Sequence, residues 1–291
     1  MTRSRRAWIG TSWKMNKTRG EAAAYIAELC DWVRDTELDV AVVIFPPFTA
    51  LPAAAAQLVS SLDAPIANSL ARPRPSLQLG AQNMHWEVRG ARTGEISAEM
   101  LLDCGVRVVE IGHYERRENY GETDRSVNLK AAAAIAAGLD VVICIGDSLD
   151  DRQYGVAAET VSRQVKIALR GVAPQDLGSV VLAYEPGWAI GTGGEQAEPA
   201  DVEAMHHVIR DAVQASHGPE AAERIRVVCG GSVDAANAFG YAAETTIDGL
   251  FVGRAALTAA GFIAVIEQYC AAVPAAASEL IVAEGSRDDY H

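Results

Sequence analysis

At 291 residues, 49% hydrophobic and 22% charged, the chain has ordinary globular composition and enough length for a large buried core. A formal net charge of −13 argues against a nucleic-acid or anionic-membrane partner, so an anionic ligand must be held by a local positive feature. The five cysteines (Cys30, Cys104, Cys144, Cys229 and Cys270) are odd in number and lack CxxC spacing, as expected of buried thiols in a reducing compartment. The basic residues 1–6 lead into only Ala7-Trp8-Ile9, too short for a signal peptide, and no apolar run is long enough to span a bilayer. The expected setting is cytoplasmic.

In chain order, short β-branched runs predict strands at residues 7–13, 40–45, 77–82, 106–111, 141–145, 180–185, 226–229 and 249–252. Between them the spacing predicts helices that include 18–34, 97–104, 124–137, 152–170, 199–216 and 235–243. Thr18 followed by Glu21 predicts a capping box on the first helix. Eight strands alternating with helices point to a parallel α/β fold, with a closed (β/α)8 barrel and an open doubly wound sheet as the two forms. The GxGxxG of the open sheet is missing after the first strand. One barrel domain over residues 1–270 is expected. Residues 68–76 form a Pro/Arg-rich loop, and residues 271–291 an Ala-rich, then acidic tail, partly frayed.

In a barrel of this kind, function collects at the strand C-termini. Strand one ends Gly10-Thr11-Ser12-Trp13-Lys14-Met15-Asn16, and period-two alternation puts Ser12 and Lys14 on the inward face with Gly10. A lysine there either marks the exit into water or is paired and functional. Strand four runs into Gly112-His113-Tyr114-Glu115-Arg116-Arg117, where the histidine is a candidate electrophile beside an ion-pair network. Strand six ends in Glu185, a carboxylate after an apolar run, where loss of hydration strengthens a base. Pro186 and the Gly-rich residues 187–194 that follow have the make-up of a hinged lid. Strands seven and eight end in Gly230-Gly231-Ser232 and Gly253-Arg254, whose backbone N–H groups suit a phosphate. His206 and His207 are adjacent and diverge around a helix, so no metal is expected.

Taken together, these motifs resemble the triosephosphate isomerase family. The likeness rests on WKMN in strand one, TGEIS at 93–97, GH-ERR at 112–117, AYEP-WAIGTG at 183–193, GGSV at 230–233 and DG--VG at 248–253, all in order. The resemblance implies a TIM barrel acting on a small phosphorylated sugar without cofactor. It implies Glu185 as the base, His113 as a neutral imidazole on the carbonyl oxygens, and Lys14 on the enediolate charge, paired with Glu115. Gly191, Ser232 and Gly253 would hold phosphate. It further implies a homodimer, in which the loop 84–93 brings Thr93 to the neighbouring active site and Glu95 meets Arg116 across the interface.

Three positions depart from the family pattern: Ser12 for asparagine, Tyr114 for serine, and Arg254 for glycine. The first opens space beside Lys14; the others add a hydroxyl and a charge. Together they suggest a larger substrate, with Ser12 and Tyr114 touching an extra hydroxyl and Arg254 beside the phosphate. The GTSWKMNKT opening is similar to the tetrulose-phosphate branch of the family, so the expected reaction is L-erythrulose 1-phosphate to D-erythrulose 4-phosphate. Triosephosphate isomerisation is the alternative within the family, and a silent phosphate-binding barrel the alternative outside it.

Overall fold

The computed structural model describes residues 5–62, 74–190 and 196–273. Its strands are β1 (Ala7–Ser12), β2 (Val40–Phe45), β3 (Ser76–Ala81), β4 (Val108–Ile111), β5 (Asp140–Ile145), β6 (Val180–Tyr184), β7 (Arg226–Gly231) and β8 (Gly249–Val252). Each pairs in parallel with the next, and β8 returns to β1, which closes the barrel. The closed form of the two expected α/β architectures is therefore the one adopted.

Alternation along the strands makes two apolar layers. Trp8, Val43, Phe45, Val108, Val142, Val181, Val228 and Phe251 point inward and fill the barrel. Their neighbours Ile9, Ile44, Val109, Ile143, Leu182, Val227 and Leu250 point outward and pack under the helices. Burial on both faces explains why the strands read as continuous apolar runs. Gly10 is required by this filling, because a Cβ there would lie 2.5 Å from the Trp8 ring. The parity also fixes which polar residues face inward at the mouth: Ser12 follows Trp8 and Gly10, Glu110 follows Val108, and Glu185 follows Val181 and Ala183.

The helices are α1 (Arg19–Asp35), α2 (Leu51–Leu62), α3 (Ala98–Asp103), α4 (Tyr114–Tyr120), α5 (Asp124–Ala136), α6 (Leu149–Gln153), α7 (Ala157–Ala168), α8 (Pro199–His217), α9 (Pro219–Arg224), α10 (Ala238–Ala243) and α11 (Ala259–Ala272). The capping box of Thr18 and Glu21 opens α1, as expected. The helix expected over 152–170 is instead two, because Gly155 takes a left-handed φ of 72° and Ser148 caps an earlier start. The final helix α11 runs through Ala272, so it takes in the first residues assigned to the tail. Residues 274–291 of that tail, and 68–73 of the Pro/Arg-rich loop, lie outside the described residues. No helix among the described residues is long and apolar enough to cross a membrane.

Candidate active site

The C-terminal ends of the strands open onto a cavity of about 530 Å³. Ser12, Lys14, His113, Glu115 and Glu185 line it from β1, β4 and β6. Gly231, Ser232, Gly253 and Arg254 line it from β7 and β8. Every one of these was expected at the mouth from its place at a strand end, and the barrel brings them into one hollow.

Glu185 stands immediately after β6 and is 4% exposed. Its Oε1 lies 3.5 Å from His113 Nε2, and its Oε2 has no protein partner. His113 caps α4: its Nδ1 accepts the Glu115 backbone N–H at 3.1 Å. An accepting Nδ1 carries no proton, so the neutral ring bears its proton on Nε2, facing Glu185 and the cavity. The Cys144 thiol, raised by burial and by Glu185, stays protonated beside that carboxylate.

Lys14 is held by its backbone as well as its side chain. The chain leaves β1 in a left-handed turn, with Lys14 at φ 53°, a conformation that costs a non-glycine residue about 1–2 kcal/mol. Gln82 Nε2 donates to the Lys14 carbonyl at 3.0 Å and to that of Phe45 at 2.8 Å, which ties the turn to β2. The ammonium meets Glu115 Oε1 at 2.6 Å, the pair implied by resemblance. A strained, paired cation beside a buried carboxylate and an imidazole N–H can stabilise an oxyanion formed between them.

Residues 186–190, where the expected lid would begin, are anchored from below. Asp147, 2% exposed, accepts from the Tyr184 hydroxyl at 2.7 Å and from Trp188 Nε1 at 3.2 Å, and its carbonyl accepts from Gly187 N at 2.8 Å. The Arg152 guanidinium stacks 4.4 Å from the Trp188 ring centroid. Tyr114 belongs to this hinge. It is not among the residues lining the cavity, and its ring packs so closely on Gly187 that a Cβ there would come within 2.3 Å. The expected contact of Tyr114 with an extra substrate hydroxyl therefore gives way to a packing role at the base of the lid. Its hydroxyl is pushed up by burial, with Glu118, Asp150 and Asp151 nearby.

On the β7–β8 side, the Ser232 hydroxyl donates to the Ala189 carbonyl at 2.8 Å and so joins the β7 loop to the segment after β6. Gly253 precedes a short 3-10 turn over Arg254–Leu257, and Arg254 is exposed at the rim. Gly191 lies outside the described residues. Thr93 sits in an exposed loop and lines no part of this chain's own cavity. Within one chain, Arg116 lies 3.3 Å from Glu122, and Glu95 is exposed.

The triosephosphate isomerase profile matches residues 7–269. The chain belongs to the triosephosphate isomerase family. It is 43% identical to the triosephosphate isomerase of Chloroflexus aurantiacus over 258 residues, covering 89% of this chain and 97% of that one. It is 42% identical to the L-erythrulose-1-phosphate isomerase of Rhizobium rhizogenes over 275 residues, covering 94% and 97%. The crystal structure of Bartonella henselae triosephosphate isomerase superposes with a TM-score of 0.77 at 32% identity, over 91% of this chain and 99% of that one. The protein is thus an isomerase of the triosephosphate isomerase type.

For a member of the triosephosphate isomerase family, the site also contains groups that attention to strand ends passes over. Asp147 and Gln82 act through backbone and hinge contacts that only the folded chain reveals. Glu110 had a visible signal: a carboxylate inside the apolar strand Val108-Val109-Glu110-Ile111, at inward parity. It is 2% exposed, and burial pushes its carboxyl up to about 7, with His113, Ser12 and Lys14 pulling down and Glu185 pushing further up.

Proposed function

We propose that this isomerase converts L-erythrulose 1-phosphate to D-erythrulose 4-phosphate. Glu185 removes the proton on C3, His113 Nε2–H polarises the C2 carbonyl, and Lys14 stabilises the enediolate charge. Glu185 then returns the proton to C2, and the hydroxyl proton on O3 passes to O2 through His113, so no co-reactant is consumed. This division of labour is the one described for triosephosphate isomerase itself. The backbone of Gly231, Ser232 and Gly253 would hold the phosphate, with Gly191 closing over it and Arg254 adding charge at the rim.

The observation that carries the tetrulose reading is Ser12. Its short side chain lines the cavity wall beside Lys14, and in place of the longer amide of the family pattern it would leave room for one more carbon at the reacting end. Overall identity does not separate the substrates, since relatives bearing either name stand at 40–43%. Parallel progress curves on L-erythrulose 1-phosphate and dihydroxyacetone phosphate provide the test. The expected result is a kcat/KM at least about tenfold higher for the tetrulose. A preference for the triose would make the enzyme a triosephosphate isomerase and Ser12 a tolerated variation.

The same reading includes a homodimer. Met15, 96% exposed, stands next to Lys14 at the rim, and Tyr120 is 70% exposed nearby. A second copy seated there would cover both and bring its Thr93 to the cavity edge. Light scattering at micromolar concentration should read twice the 30.8 kDa chain mass; a monomer with full turnover would remove the dimer from the proposal.

A further inference from the structure

On the reading that the substrate is a tetrulose phosphate, we propose that Glu110, together with Ser12, is the specificity-determining group of this site. It hydrogen-bonds the terminal hydroxyl that a tetrulose carries and a triose lacks.

Ser12, Lys14, His113 and Glu115 line the main cavity and also a second hollow of about 200 Å³, which Glu110, Gln82 and Asn83 complete. The two hollows therefore adjoin, with these four residues as their common wall. The phosphate-binding backbone comes from β7 and β8, whereas the second hollow opens between β1 and the β3–β4 side, across the barrel mouth. A ligand anchored by phosphate at β7 and β8, with its reacting carbons between Glu185 and His113, directs its far end toward Ser12 and Glu110. A triose ends there in a carbon bearing only hydrogens and its reacting oxygen. A tetrulose bears a hydroxymethyl group.

Glu110 replaces what would otherwise be one more apolar residue in the barrel's inner layer. Its Oε2 has no protein partner, and the Ser12 hydroxyl adjoins the carboxyl group. An unsatisfied polar atom this deeply buried destabilises a fold, whereas an apolar side chain of similar shape does not. A bound hydroxyl supplies the missing partner. Sites that hydrogen-bond a substrate hydroxyl also reject the analogue lacking it strongly, because the protein group is then left unpaired.

The test compares kcat and KM on both substrates for the full-length wild type, Glu110→Gln and Glu110→Leu. Glu110→Leu should lower the tetrulose-to-triose ratio of kcat/KM by at least about tenfold. Most of that loss should appear in KM for the tetrulose, since the contact is made in ground and transition states alike. Glu110→Gln, which keeps a hydrogen-bonding group of the same shape, should recover most of the ratio. Glu110→Leu should also melt at or above the wild type, and its advantage should be larger at pH 7 than at pH 5. The sign follows because the native carboxyl, at about 7 against a reference of 4.5, holds its proton longer than the unfolded one, so wild-type stability falls as pH rises between them. A wild type that turns over the tetrulose, with a ratio unmoved by Glu110→Leu, overturns the inference alone. A lowered melting temperature with equal losses in both variants does the same and makes Glu110 a structural group. A wild type that prefers the triose overturns both this inference and the reading beneath it.

Discussion

Glu185→Gln is expected to lower kcat by about 10²–10⁴-fold, the usual worth of a positioned general base, while KM moves only a few-fold. The amide has the size and shape of the carboxylate but cannot take a proton from carbon. The loss therefore falls on an interaction made in the transition state and spares the phosphate binding proposed at Gly231, Ser232 and Gly253. Folding should not suffer. Glu185 is 4% exposed and its Oε2 already lacks a partner, so a neutral amide is easier to bury, and the melting temperature should hold or rise. Glu185→Asp keeps the charge and draws it back by roughly one ångström, a displacement that costs about 10²-fold in a site of this kind. Steady-state kinetics with a thermal melt checks both. Unchanged turnover in the glutamine variant would leave the cavity as a phosphate-binding pocket and take the chemistry out of it.

The barrel was legible because its strands obey one rule. Parallel strands buried on both faces read as short apolar runs, and each expected run falls on an observed strand within two residues at either end. What ends a helix was less legible. Gly155 breaks the expected 152–170 segment because a left-handed residue is invisible to apolar periodicity. In the Ala-rich α2 and α11 the stripes that pack on the core, Leu51, Ala54, Ala55 and Leu58 in one and Ala259, Phe262, Ile263 and Ile266 in the other, are blurred by alanines on the remaining faces.

At the site, legibility followed the same line. Lys14, His113 and Glu185 were found as polar residues at the ends of apolar strands. Glu110 obeys the same inward parity as Ser12 and Glu185, yet it sits one step inside its strand, where it reads as an irregularity. Asp147 and Gln82 could not be read at all, since their partners are backbone groups, the Tyr184 hydroxyl and the Trp188 indole N–H, all distant in sequence or outside any apolar pattern. The three departures from the family pattern separate once folded. Ser12 lines the cavity beside Lys14, Arg254 lines it at the β8 rim, and Tyr114 packs on Gly187 just after β6. On the proposed tetrulose reading, a changed substrate therefore hangs on Ser12 and on its neighbour Glu110.

Asp248→Ala is expected to give the largest loss of stability, about 3–5 kcal/mol. The side chain is fully buried just before β8, at the end of the barrel opposite the site. Its Oδ1 accepts from Arg5 Nε at 3.0 Å and Nη2 at 2.8 Å. Its Oδ2 accepts from Arg210 Nη2 at 2.8 Å and from the Val227 backbone N–H at 2.9 Å. One carboxylate thus ties the N-terminal residues, α8, β7 and β8 together where the sheet closes on β1. Removing it takes the anionic partner from the Arg210 guanidinium, whose side chain is only 15% exposed and keeps only neutral acceptors such as the Ala222, Ile225 and Thr246 carbonyls, and leaves a buried strand N–H without its acceptor. For a chain of this size each kcal/mol is worth about 2–4 °C, so the melting temperature should fall by roughly 6–20 °C. Asp248→Asn keeps one acceptor oxygen and should fall between the alanine variant and the wild type. Turnover per folded molecule at 25 °C should hold in both, because stability and chemistry occupy opposite ends of this barrel. A melt within about 2 °C of wild type for the alanine variant would mean that water replaces the carboxylate without loss, and that closure of the barrel rests on the β8–β1 backbone pairing alone.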